Sequence, residues 1–319
     1  MNDTLKPAHD AQAHLNFWPE GVPHQIDVPD ESLWAGLQTR ASQTPHEVGL
    51  DYLGRTYTWQ QLLQSAEHLA GGLQALGVQK GERVILFMQN CPQFIIAFHA
   101  VIRLGAVVVP VNPMNKAQEL GHYIQDAQAH LAIASSDIAP ELASASQMPE
   151  AGHALQHLVV FDLADALPEG HEAHMAQWPV VWQHWLPVRH ALPQVASLQV
   201  HAWQALLDSQ LQPSAVSVCG DDLALLPYTS GTTGAAKGCR HTHATLMHNV
   251  LAAAPWLDMR AGDATLIAVP MFHITGLVMG MLASVRHGCR LVLLPRWDRQ
   301  QAAQAIQKHR VTHWPNIPT

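Results

Sequence analysis

From Arg83 onward, short apolar runs alternate with segments of helical periodicity, and this alternation restricts the fold more than any other feature of the chain. The first run, VILFM, is continuously apolar, which is typical of a strand covered on both faces. A helix and the strands AVVVPV and HLAIA follow, and the alternation resumes after Asp222. Strands joined by helical crossovers lie parallel, with right-handed connections. The sequence therefore predicts an α/β fold in which strands and helices alternate in mostly parallel sheets.

Local signals place several element boundaries. The run VGLDYLGRTYTW predicts a hairpin that turns at Gly54. Thr58 and Gln61 have the spacing of a capping box and predict the start of a helix. Asn90 is predicted to cap the next helix, with Pro92 in its permissive first turn.

Other regions are less regular. Residues 1–30 are rich in Pro, His and Asp and are predicted to be a flexible lead-in, and residues 141–217 an irregular Trp/Pro-rich insertion with short helices. Beyond it, the pattern predicts strand LALLPY, a loop, a helix over 242–254, strand TLIAVP and a helix after Thr275. Strand RLVLLP and a helix follow, and a last strand is predicted from Val311.

Composition excludes several classes of protein. The 319 residues are 48% hydrophobic and 13% charged, which suits a folded globular chain. The net charge of -8, without a basic run, argues against nucleic-acid binding. No apolar run reaches the roughly 20 residues of a membrane span. The four cysteines lack CxxC spacing and the 22 histidines lack evident partner ligands, so we predict no metal site and a soluble, cytoplasmic protein.

The segment after strand LALLPY has the composition of an anion-binding loop. It contains hydroxyl donors, glycines that let the backbone curl around an anion, and a cation at its end: Thr229, Ser230, Gly231, Thr232, Thr233, Gly234 and Lys237. It is not the P-loop of common NTPases, because Gly238 stands where the magnesium-binding hydroxyl would be. Composition alone favours a turn or linker. The preceding strand and the lysine favour a phosphate site.

The run from Tyr228 to Gly238 resembles the phosphate-binding signature of the AMP-binding, adenylate-forming superfamily, which includes acyl-CoA synthetases, luciferases and peptide-synthetase adenylation domains. Ala236 stands where that family usually has proline. Further blocks resemble the family in the same order: TYTWQQL, GVQKGERV, RLGAVVVPVNP, VPMFHITGL and VTHWPNIPT.

This resemblance implies that residues 31–319 form the front of the family's large N-terminal domain. The family's ribose-binding aspartate, hinge and small C-terminal domain with its catalytic lysine are expected to be absent. We therefore expect this chain to bind ATP weakly and not to complete thioester formation. We also expect exposed apolar surface where later strands would pack.

The resemblance further implies a reaction that couples a carboxylic acid to ATP, with Mg²⁺, and passes the acyl group from the adenylate to CoA. The hydroxyls and glycines of residues 229–234 would cradle the β- and γ-phosphates, assisted by Lys237. His273 would lie near the acyl carboxylate, although a core histidine is the alternative. Gly276 would leave room for substrate, or serve only helix packing.

Three readings stay open. The chain is an acyl-CoA ligase for a fatty or other apolar acid, an adenylating enzyme that loads a carrier protein, or a truncated, non-catalytic module that binds nucleotide or a partner. CoA-dependent turnover separates the first two. The substrate acid and the oligomeric state are not predicted from the sequence.

Overall fold

A computed structural model describes residues 13–152, 154–229 and 235–317, and within them the predicted alternation forms two principal sheets. The strands are β1 (Val48–Tyr52), β2 (Arg55–Thr58), β3 (Arg83–Phe87), β4 (Val107–Val111), β5 (Leu131–Ser135), β6 (His157–Phe161), β7 (Gln199–Ala202), β8 (Leu223–Leu225), β9 (Tyr228–Thr229), β10 (Lys237–Gly238), β11 (His241–Thr242), β12 (Ala264–Ile267) and β13 (Arg290–Leu293).

The α-helices are α1 (Trp34–Gln43), α2 (Trp59–Ala75), α3 (Pro92–Arg103), α4 (Ala117–Ala127), α5 (Ala139–Ala145), α6 (Glu172–Met175), α7 (Val180–Trp185), α8 (Trp203–Asp208), α9 (His243–Leu257), α10 (Ala283–His287) and α11 (Arg299–His309). A π-helix, Thr275–Leu282, leads into α10. Short 3-10 helices lie at Ala13–Phe17, Pro149–Ala151 and Leu163–Ala166.

The larger sheet has the strand order β11-β8-β4-β3-β5-β6-β7 in the part of the chain described. All neighbouring pairs are parallel except β11, which runs antiparallel to β8. The smaller sheet has the order β12-β13-β1-β2, in which β2 alone is antiparallel to its neighbour. The predicted α/β fold with mostly parallel sheets is confirmed.

Alternating side chains explain why the β3 run is apolar throughout. Val84 and Leu86 belong to a core shared with the smaller sheet, whereas Ile85 and Phe87 belong to a second core beneath α4 and α5. Successive strand residues point to opposite faces, so a sheet covered on both faces needs apolar residues at every position. The shared core also surrounds α3, which is buried from Pro92 to Ile102.

The local signals are confirmed at the β1–β2 hairpin and at the start of α2. Leu53 and Gly54 both have positive φ, 53° and 97°, which is the backbone of a tight hairpin turn. Thr58 accepts the N–H of Gln61, and the Gln61 side chain accepts the N–H of Thr58, which completes the capping box of α2.

Two predicted details are wrong. Asn90 does not cap α3, whose cap position is Cys91 without a side-chain hydrogen bond, because the Asn90 amide is bonded elsewhere. The segment from Val311 forms no regular strand among the described residues. It contributes only an isolated parallel bridge, between His313 and Thr265.

The middle region contains the predicted short helices but also two strands that the sequence did not reveal. β6 and β7 extend the larger sheet in parallel, so residues 157–202 contribute directly to it. Trp178, Trp182 and Trp203 are buried against this region. β6 has five residues and β7 has four, and such short strands are hard to recognise in a sequence that is rich in Pro and His.

Exposed aromatic surface lies near the edge strand β12. Trp297 and Trp314 stack with ring centroids 5.4 Å apart, yet remain 54% and 37% exposed. Trp256, Leu257 and Ile317 are also exposed. His313 reaches this edge by donating a 3.0 Å hydrogen bond to the Leu257 carbonyl.

Two histidines are buried inside the fold. His99 donates from Nδ1 to the Ile95 carbonyl at 2.7 Å, and burial lowers the pKa of its imidazole to about 4. His243 accepts the Leu33 N–H at 3.1 Å, and burial also lowers its pKa to about 4. Both rings are therefore neutral in the folded protein at neutral pH.

We expect the free energy of unfolding to fall as the pH is lowered from about 6.5 towards 4. A histidine in the unfolded chain takes up its proton near pH 6.5, whereas these two rings resist protonation until about pH 4. His99 alone would account for about 3 kcal/mol over this range. Denaturant unfolding between pH 5 and pH 8 measures the slope.

The substitution His99→Leu removes one such ring and should flatten that slope. His248→Gln, on the exposed side of α9, is the matched control and should leave it unchanged. Equal slopes in the wild type and His99→Leu would contradict the role of His99.

Candidate functional site

The ends of the predicted phosphate loop are held together as a two-stranded hairpin. In the β9–β10 pair, Thr229 lies opposite Lys237 and Tyr228 lies opposite Gly238. The central residues of the loop lie outside the described part of the chain: Ser230, Gly231, Thr232, Thr233 and Gly234. Their proposed role as a phosphate cradle stays a prediction. The two paired strands on either side of them, β9 and β10, are described.

The helix predicted over 242–254 is confirmed as α9, but two short strands that were not predicted lie between it and the loop. β10 and β11 intervene before α9, whose first turn is capped by Thr242 through the Thr245 N–H. A Cβ at Gly238 would lie 3.3 Å from the Tyr228 ring, so a larger residue there would need a small shift of that ring. Lys237 therefore projects from a strand rather than from a helix start.

Helix α4 braces the base of the hairpin. The Tyr228 hydroxyl donates to Asp126 at 2.6 Å, and His122 Nε2 donates to the Ala236 carbonyl at 2.8 Å. The ring of Tyr123 packs 4.6 Å from that of Tyr228. Burial and the Asp126 carboxylate raise the pKa of the Tyr228 phenol, so it remains a donor.

These bracing residues were missed from the sequence. His122 and Asp126 are four apart and thus share one helix face, which is the only local signal they carry. That spacing is common on solvated helices. Nothing local indicates that this face meets a hairpin about a hundred residues further along the chain.

Lys237 is exposed on the strand that follows the loop. Its ammonium makes no ion pair with another residue in the described ranges. Thr229, its partner across the hairpin, is also exposed. A hydroxyl thus precedes the loop and a cation follows it, on two paired strands.

His273 lies in a second loop, between β12 and the π-helix. The alternative of a core histidine is wrong, because the side chain is exposed. Its Nδ1 accepts a long hydrogen bond, 3.4 Å, from the Thr275 N–H. In the neutral imidazole the proton is then on Nε2, which can donate to a carboxylate oxygen.

Gly276 has a definite packing role. A Cβ at this position would overlap the Pro270 carbonyl and lie 2.8 Å from the Val269 carbonyl oxygen. The π-helix therefore sits directly against the backbone of the His273 loop. The other suggested role of Gly276, making room for substrate, remains a prediction.

We predict that Gly276→Ala destabilises the fold by about 1–3 kcal/mol, because backbone atoms must move to admit the methyl group. Gly280→Ala, on the same π-helix, is the matched control: its Cβ would meet the Ile267 side chain at 3.5 Å, an ordinary contact. Unfolding midpoints in urea compare the two. Equal midpoints would argue against close backbone packing at Gly276.

The two loops follow strands of different sheets. The hairpin comes after β8 of the larger sheet, and His273 comes after β12 of the smaller one. Thr229 and Lys237 are brought together, and so are His273 and Gly276. Asn90 connects the sheets, since it follows β3 and bonds to the backbone at Val269 and Met271.

No group of three or more His, Cys, Asp or Glu side chains among the described residues is arranged to hold a metal ion. Within the same ranges, none of the helices combines the length and apolar character needed to cross a bilayer.

Comparison with known proteins identifies the family. Residues 37–319 match the family model described as "AMP-binding enzyme", so this chain belongs to the AMP-binding enzyme family. It is 28% identical over 309 residues to a long-chain-fatty-acid–CoA ligase of Bacillus subtilis strain 168, covering 96% of this chain and 53% of the relative. It is 30% identical over 300 residues to 4-coumarate–CoA ligase 2 of Oryza sativa subsp. japonica, covering 90% and 48%.

A solved structure confirms the fold. An anthranilate CoA ligase in complex with anthranoyl-AMP superposes with a TM-score of 0.71 at 21% identity, covering 91% of this chain and 50% of the other. The chain spans about half the length of the curated relatives it matches.

Proposed function

We propose that this chain is the carboxylate-activating part of an AMP-forming acyl-CoA ligase for a fatty or other apolar acid. The observation that carries the proposal is the hairpin in which Thr229 and Lys237 close a Ser/Thr/Gly loop within a family-matched chain. Relatives named for long-chain fatty acids and for coumarate support an apolar acid.

In the first step, a carboxylate oxygen of the acid bonds to the α-phosphorus of ATP while the bond to pyrophosphate breaks. The products are acyl-adenylate and pyrophosphate. No covalent enzyme intermediate is required, so the protein needs to align the reactants and neutralise charge. Lys237 and residues 229–234 would bind the leaving phosphates, and Mg²⁺, arriving with ATP, would neutralise further charge.

His273 would orient the acid. Its exposed Nε2–H is a donor for one carboxylate oxygen, which leaves the other oxygen to attack phosphorus. The Met271 side chain beneath this loop is fully buried and anchors the backbone on which His273 is carried.

In the second step, a thiol would attack the acyl carbon and AMP would leave. We propose CoA as the thiol, because the relatives described above are CoA ligases. All four cysteines of the chain are free thiols, which supports a reducing, cytoplasmic setting.

Lys237→Ala should lower the affinity for MgATP about 10- to 100-fold, because a hydrogen bond to a charged group contributes about 1.5–3 kcal/mol. Lys308→Ala is the matched control: Lys308 is also exposed but lies on α11 beside the other sheet. Isothermal titration of both variants measures the difference. An unchanged affinity in Lys237→Ala would refute the phosphate role of this lysine.

The direct test is carboxylate-dependent release of AMP and pyrophosphate, with and without CoA, across short, medium, long-chain and aromatic acids. Release with an apolar acid would establish adenylation by these residues, and dependence on CoA would identify the acceptor.

Because the chain spans about half of its relatives, binding is measured alongside turnover. Binding of a non-hydrolysable acyl-sulfamoyl adenosine without turnover would indicate a nucleotide-binding module that needs further chain for chemistry. If neither binding nor turnover were observed, the proposed function would be wrong.

A further inference from the structure

Asn90 is a buried side chain that joins the two sheets. It follows β3 at the carboxyl edge of the larger sheet and is only 3% exposed. Its Nδ2 donates to the Val269 carbonyl at 3.1 Å, and its Oδ1 accepts the Met271 N–H at 2.7 Å. Both bonds reach the loop after β12, about 180 residues further along the chain.

The chemistry of the loop explains why an amide is needed. Val269 and Met271 flank Pro270, which has no N–H of its own. One primary amide offers a donor and an acceptor side by side, so it satisfies the carbonyl before the proline and the N–H after it. Leaving either buried group unpaired would be unfavourable, because it could not bond to water instead.

The same loop is held from its other side by the π-helix. The Val269 and Pro270 carbonyls crowd the position where Gly276 lacks a Cβ. Two backbone hydrogen bonds then connect His273 to this loop and to the π-helix. The His273 N–H donates to the Pro270 carbonyl at 3.1 Å, and the His273 carbonyl accepts the Leu277 N–H at 3.0 Å.

We propose that Asn90 is a positioning residue for the acyl site: it fixes the His273 loop relative to the phosphate-binding hairpin. β3 and β8 belong to the same sheet, separated by β4 alone. A side chain that closely follows β3 therefore shares this sheet with the β9–β10 hairpin that follows β8. This inference rests on the proposed function, because it assigns Asn90 a part in placing the carboxylate beside the α-phosphate.

The first experiment examines the tether in the ligand-free chain. Asn90→Ala should speed amide hydrogen exchange at least about tenfold in the segment 268–277, because Met271 loses its acceptor. Exchange in α2 should not change. Gln93→Leu is the matched control, since this neighbouring amide is also buried but its Oε1 has no hydrogen-bond partner among the described residues. Unchanged exchange in Asn90→Ala would overturn the tether.

The second experiment examines function by binding. Asn90→Ala should weaken binding of a fatty acyl-sulfamoyl adenosine about tenfold or more, while MgATP affinity stays within about twofold of the wild type. A merely structural role would weaken both ligands together, or neither, and either result would overturn the positioning role.

A conservative variant covers the case in which alanine prevents folding. In Asn90→Asp, a protonated carboxyl restores both the donor and the acceptor, and burial favours that form. Analogue affinity in this variant should recover as the pH falls from 8 to 6.5, while the wild type stays constant. The absence of recovery would count against the inference. If the wild type itself bound no analogue, the proposed function would fail, whereas hydrogen exchange would still decide the tether.

Discussion

The apolar core shared by the two sheets is the constraint on which the rest of the structure depends. It joins Leu50 and Tyr52 of the smaller sheet to Val84 and Leu86 of the larger one, with α3 buried among them. Burial of this extent is non-directional, so it holds the sheets together without specifying their exact placement. Directional bonds are needed for that, and in this protein they lie at the carboxyl edges.

Those carboxyl edges carry the candidate site because parallel strands end together there. The two loops need different kinds of support. The hairpin at Thr229 and Lys237 is supported locally, by its own pairing and by α4 through Asp126. The His273 loop has a proline in its middle and therefore takes support from Asn90 across the core.

Local features were predictable because their causes are local. The turn at Gly54 needs positive φ, and the Thr58 cap needs only a partner three residues away. The position of His273 in a loop after a strand was also predictable, as was its likeness to a family block. The Asn90 bonds were not, since an asparagine before Pro92 looks like an ordinary helix cap and its true partners are about 180 residues distant.

By itself, the sequence determined the fold class, most of the alternating strands and helices, and the family, because apolar periodicity and contiguous motifs are written along the chain. Only the tertiary structure decided which polar groups meet. Tyr228 bonds to Asp126, His273 is exposed, and Gly276, which has no Cβ, allows the π-helix to pack closely against the backbone at Val269 and Pro270. The physical reason is that burial depends on composition summed over many residues, whereas a hydrogen bond depends on the relative placement of two distant atoms to within a few tenths of an ångström.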